Sequence, residues 1–202
     1  MNPSPIRIMI DMESTDTCAR AGILTLGACT FGQPFGATRE TFYSKASLAS
    51  NEQLKRSINP ETIAWWDKQD KSIRNEAFGG TGSVDDLLDN FATWCSHWVA
   101  GPAFSGVDKD LTKIELWSRG AGFDCEILQD AFLQIFGYYP FDFRKHMCQR
   151  TLQALMPEWL VKAVPQRAAK HVAYIDAYNQ ADIIDVALRN LSWHSAIGMQ
   201  QR

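Results

Sequence analysis

Two apolar runs near the start, Ile6 to Met12 (IRIMIDM) and Ile23 to Phe31 (ILTLGACTF), constrain the fold more than any other feature of the chain. Each has the length of one buried strand and is enriched in β-branched residues. Neither approaches the roughly 20 apolar residues of a membrane span, so no membrane partner is expected. A short aromatic segment, Glu40 to Ser44 (ETFYS), is expected to form a third strand. The short connections favour an antiparallel meander.

The hydrophobic period then changes. Asn59-Pro60 opens a helix, PETIAWWDKQ, with proline at a first-turn position. After a Gly-rich break (FGGTGS), Ser83 caps a longer helix that carries Leu87, Leu88, Phe91, Trp94, Cys95 and Trp98. Lys113 to Trp117 (KIELW) reads as a fourth strand, followed by a Gly-bearing loop from Ser118 to Phe123. Asp124 starts a helix with Ile127, Leu128, Ala131, Phe132, Ile135 and Phe136 on its apolar face, and Gly137 stops it. A fifth strand is expected within Phe141 to Cys148, with helices at about Gln149 to Leu155 and Val172 to Leu191. No repeat, low-complexity tract or linker interrupts the chain. Its 202 residues, 46% of them hydrophobic, suffice for one core, so residues 1–202 are expected to form a single domain. A meander followed by alternating helix and strand is an α/β pattern. It suits a ribonuclease H-like mixed five-stranded sheet, three antiparallel strands and two parallel ones, flanked by helices.

Composition narrows the function. The net charge of −3 disfavours a protein that coats nucleic acid, whose affinity comes from neutralising phosphates. It leaves open an enzyme that grips a chain end through metal ions. The N-terminus, MNPSPIRIMIDME, does not read as a signal peptide, so none is expected. Cys18, Cys29, Cys95, Cys125 and Cys148 are odd in number and lack C-x-x-C spacing. They read as reduced thiols in a cytoplasmic protein, not as disulfides or a zinc site.

Three acidic elements stand out. Asp11 and Glu13, two apart on a strand, share a face. Carboxylates held together repel, and one takes up a proton unless a cation neutralises them. Magnesium and manganese favour such oxygen ligands. A lone D-x-E is weak, and Asp124-Cys125-Glu126 is a second one. Asp124, in WSRGAGFDCEIL, suits a helix start whether or not it binds metal, with Phe123 packing inward. His171 and Asp176, in HVAYIDAYNQADII, form an H-x-x-x-x-D spacing found once in the chain. Asp176 is placed to complete a metal cage, and His171 to take a proton from attacking water, since free imidazole titrates near neutrality.

In this order the elements resemble the DEDDh group of the DnaQ-like 3'-5' exonucleases, in which four acids hold two divalent metals and a histidine is general base. ILTLGAC, TIAWWDKQ, WSRGAGFDCEIL, QRTL and HVAYIDAYNQA are similar to the small branch containing the mycobacterial 3'-5' exoribonuclease and the phage DexA-type exonuclease. The resemblance implies two Mg2+ or Mn2+ on Asp11, Glu13, Asp124 and Asp176, with His171 as base. It implies attack on the terminal phosphodiester of single-stranded DNA or RNA 3' ends, releasing nucleoside 5'-monophosphates, in a bacterial or phage setting. It also places the Met12 backbone and the Ser14 side chain near the terminal nucleotide. Cys148 and Arg119 depart from the branch pattern, the first standing where an acid is expected and the second where an asparagine is.

Weaker signals surround this set. Trp65 and Trp66 point about 100° apart on a helix, so one is available to stack on a base, with Gln69 one turn on. Arg144, Lys145, Arg150, Lys162, Arg167 and Lys170 form a candidate phosphate track. His97, His146 and His194 have no partner at ligand spacing. A homodimer is a candidate assembly. The alternative from another class is a catalytically silent nuclease-like module that binds nucleic acid or a protein; the intact acids argue against it.

Overall fold

A computed structural model describes residues 5–32, 39–100, 111–168 and 171–199. Its strands are β1 (Ile6–Ser14), β2 (Ile23–Phe31), β3 (Thr41–Lys45), β4 (Ile114–Ser118) and β5 (His146–Cys148). Its helices are α1 (Leu48–Gln53), α2 (Pro60–Trp66), α3 (Lys71–Phe78), α4 (Val84–Ala100), α5 (Asp124–Phe136), α6 (Gln149–Gln153), α7 (Glu158–Lys162) and α8 (Ala173–Met199).

The strands form one sheet in the order β3-β2-β1-β4-β5. β1 pairs antiparallel with β2 and β2 with β3, whereas β4 runs parallel to both β1 and β5. This is the mixed ribonuclease H-like sheet expected from the pattern. β2, an interior strand covered on both faces, is buried at every position, which explains its unbroken apolar run. β1 instead alternates. Ile8, Ile10 and Met12 enter the larger core beneath α4 and α5, while Met9 faces Ala177, Ala181 and Ile184 of α8.

The turn chemistry works as expected at several ends. Asn59 caps α2 by accepting from the Glu61 N–H, with Pro60 as first residue. The Ser83 hydroxyl accepts the Asp86 N–H and donates to its carboxylate, which caps the start of α4. Gly137 ends α5 at φ 73°, in the left-handed region. β1 runs two residues further than expected, through Ser14, with a register shift at Glu13/Ser14. The helices α1, α3 and α7 were not expected. They are short, and α3 gains its place by resting Ala77 and Phe78 on Trp66. No described helix is long and apolar enough to cross a membrane.

Candidate active site

The C-terminal end of β1 carries the first two acids. Asp11 and Glu13 lie on the same side of the strand as Met9 and so face α8. What lets α8 approach them is Gly27, the cross-strand partner of Asp11. A Cβ at this glycine would stand 2.0 Å from the Tyr174 nitrogen and 2.2 Å from the Ala173 carbonyl carbon. The first turn of the helix therefore rests directly on bare backbone, and Asp176 comes down beside the strand acids.

Each remaining acid is tied to backbone. Asp124 opens α5, and its Oδ1 accepts the Met12 N–H at 3.1 Å. Asp176 Oδ2 accepts the His171 N–H at 2.7 Å, which closes the entry to α8. His171 sits at φ 58°, a left-handed conformation uncommon outside glycine. The reversal turns its imidazole toward Glu13, with Nδ1 3.9 Å from Oε1, and packs it edge-on against Trp65 at a centroid distance of 5.2 Å. Ligand atoms of Glu13, His171 and Asp176 all lie within 4.8 Å of one another, close enough to hold one metal ion.

The residues border a cleft of about 670 Å³, lined by Asp11, Glu13, Asp124, His171 and Asp176 together with Arg119 and Arg150. A smaller hollow of about 430 Å³ adjoins it across Met12, Glu13, Thr17 and Phe123, and is bounded by Ser14, Asn59, Thr62 and Trp65. Phe123 therefore lines the cleft and does not simply pack inward.

The electrostatics are those of crowded carboxylates. Burial, then the charges of Asp176 and Asp124, push Glu13 up to about 8. Burial pushes Asp124 up to about 7, against hydrogen bonds from the Met12 and Asp124 N–H groups and from Ser118. Asp11 is raised well above the usual range by burial and by Asp124, Glu13 and Asp176, with the Gln180 amide opposing. Burial also raises Asp176, against the His171 N–H. Among the described residues no Lys or Arg forms an ion pair with any of the four. Arg150 and Arg119, which line the same cleft, oppose the rise at Asp124 and Asp176 respectively without reversing it. A crowded all-oxygen set of this kind fits divalent cations, which would displace the protons.

The expected substrate contacts fare unevenly. Trp66 is buried, and its Nε1 donates to the Ser14 carbonyl at 3.0 Å. It supports the strand end and, although it borders the smaller hollow, is almost wholly covered; of the pair Trp65, 43% exposed, is the accessible one. Gln69 turns its amide back onto the Trp65 carbonyl and does not line the cleft. The Met12 N–H is already donated to Asp124, and Ser14 Oγ donates to the Asp16 carbonyl, which leaves the hydroxyl oxygen as an acceptor.

The basic track holds only in part. Arg150 and Arg167 line the cleft, Arg167 also pairing with Asp182, whereas Arg144 pairs with Asp142, Lys162 with Glu158, and Lys145 donates to the Thr112 carbonyl. Lys170 lies outside the described residues, as does the side chain of His194. His146 contacts Tyr139 at 2.8 Å, away from the cleft. Thr17, Gln166, Asn179 and Gln180 also line the cleft and escaped the sequence reading. The only signal for Gln180 was its place one helical turn after Asp176.

Comparison with known proteins agrees with this architecture. The nuclease domain of 3'hExo, a DEDDh family member, bound to rAMP, superposes with a TM-score of 0.60 at 12% identity, covering 94% of each chain. The zinc-bound form of the E. coli ExoI–ssDNA complex gives 0.58 at 13% identity, covering 93% of this chain and 41% of that one. E. coli ExoI with a dT13 oligonucleotide gives 0.59 at 14% identity, covering 94% and 43%. This chain thus spans about two-fifths of ExoI, and at such identities the likeness shows the fold. No curated protein matches the sequence. The model of the 3'-5' exoribonuclease Rv2179c-like domain matches residues 6–188, the span that carries every acid of the cleft, and the chain belongs to that family of 3'-5' exonucleases.

Proposed function

We propose that the cleft removes nucleotides from the 3' ends of single-stranded DNA or RNA as nucleoside 5'-monophosphates. Asp11, Glu13, Asp124 and Asp176 hold two magnesium or manganese ions, and His171 is the general base. The observation that carries this reading is the convergence of four carboxylates that, among the described residues, form no ion pair with a Lys or Arg, beside a histidine held at φ 58°. When bound, the ions supply the positive charge that in-line displacement at phosphorus requires. His171 takes the proton of the attacking water through an imidazole packed against Trp65, on a backbone that the Asp176 bond holds in place. Trp65 and Phe123 bound the hollow in which the terminal base stacks. Every proposed ligand comes from one chain, so the reading requires no second subunit. Solved relatives contain ssDNA in one case and rAMP in the other, and both polymer classes belong in the assay.

The test uses single strands of DNA and RNA labelled at the 3' or the 5' end, with manganese, magnesium or EDTA. A 3' label should leave first as a mononucleotide, and a 5' label should report a ladder of shortened strands. EDTA, Asp11→Ala and His171→Ala should each abolish the release. Activity that survives EDTA or Asp11→Ala overturns the mechanism.

Metal binding carries a pH signature. With Glu13 near 8 and Asp124 near 7, the metal-free fold binds more protons than the unfolded chain from about pH 4 to 8. Its stability therefore falls as pH rises through that window, while the stabilisation by manganese grows. Thermal scans with EDTA or manganese should show a small manganese gain at pH 5 and the largest at pH 8. A gain that shrinks with rising pH would contradict the proton-displacement account.

A further inference from the structure

Gln180 sits on α8 one turn beyond Asp176, on the same face of the helix. Its Nε2 donates to Asp11 Oδ1 at 2.6 Å, across 169 residues of sequence. The side chain is 5% exposed and lines the cleft, and its Oε1 is buried with no hydrogen-bond partner among the described residues. A buried amide oxygen without a donor is unfavourable, so as a packing residue glutamine is inferior to an apolar side chain of the same shape. Its donor, by contrast, has a defined use. The amide is neutral, so it orients Asp11 without cancelling the charge that a cation needs, as an arginine in the same place would. With Oδ1 engaged, the second oxygen of Asp11 is left to the cleft.

We infer that Gln180 is a positioning residue for the cation site, its amide holding Asp11 in the rotamer that ligates. The inference rests on the two-metal reading above. Groups that orient a metal ligand in this way are typically worth about 10–100-fold in metal affinity.

The experiment measures Mn2+ binding to chelator-stripped protein by calorimetry and by the EPR signal of free Mn2+, for wild type, Gln180→Met and Gln180→Asn. Methionine keeps the shape and removes the donor; asparagine keeps the amide and withdraws it from Asp11. Both variants should bind Mn2+ at least about tenfold more weakly. Their thermal midpoints in EDTA should match or exceed that of wild type. The Mn2+ concentration for half-maximal activity should rise by the same factor, with a smaller change in kcat at saturating Mn2+. Wild-type binding with both variants within twofold of it overturns this inference alone. Absence of Mn2+ binding by wild type overturns the two-metal reading and this inference with it. A collapse of the EDTA midpoint in both variants makes Gln180 a packing residue, and also overturns it.

Discussion

Glu13→Gln should abolish hydrolysis and make the metal-free protein harder to unfold. Glu13 is 8% exposed and faces three other carboxylates, and burial with Asp176 and Asp124 pushes it up to about 8. At pH 8 the metal-free wild type therefore holds a buried, partly ionised group that the neutral amide replaces. Loss of an electrostatic element at the reacting centre should lower kcat/KM on the order of 10³-fold. Relief of repulsion worth about 1 kcal/mol would raise the midpoint by about 2–4 °C in a domain of this size. The sign depends on pH: at pH 5 wild-type Glu13 is protonated and resembles glutamine, so the two midpoints should converge in EDTA. Thermal scans at both pH values, beside an exonuclease assay, check the pair of outcomes. Earlier unfolding of the variant at pH 8 would show that the acid supports the fold and refute the account.

Gly27→Ala should disable the site without touching an acid. The added methyl would meet the backbone of Ala173 and Tyr174 at 2.0–2.2 Å, a distance that only movement of α8 can relieve. His171 and Asp176 ride on the start of that helix, linked through the 2.7 Å bond between them. A shift of about 1 Å should lower activity on the order of 10²-fold. Overpacking of about 1–3 kcal/mol should lower the thermal midpoint by several degrees. Circular dichroism should still report a folded α/β protein. Near wild-type activity would mean that the helix start yields elsewhere, and that Gly27 does not set the spacing.

How much of this was legible in the sequence differs by element. β2 was readable to the residue because a strand buried on both faces writes an unbroken apolar run. α5 was readable because Asp124 and Gly137 mark its ends. The acid set was readable through spacing: i, i+2 on a strand and i, i+5 across the start of a helix. β5 was nearly invisible, since its three residues, half-buried, carry no period. α3 was missed because KSIRNEAF gains its place from contact with Trp66, and no local pattern records that contact. The choice between the two adjacent tryptophans was likewise undecidable until the Trp66 Nε1–Ser14 bond was seen. The Gln180 contact with Asp11 belongs to the same class, a pairing of distant segments that helical spacing alone hints at.

The cleft is assembled from segments that a folding chain can unite only late. Residues 11–13, 124 and 171–176 share no local contact. They meet only once the parallel β1–β4 pairing has formed and α8 has docked on Gly27. Non-local closures of this kind are the slow part of folding. A partly folded chain would therefore hold scattered acids and no nuclease site. On the proposed mechanism catalysis is a readout of the finished topology, and a nascent or locally unfolded molecule should be inert toward nucleic acid.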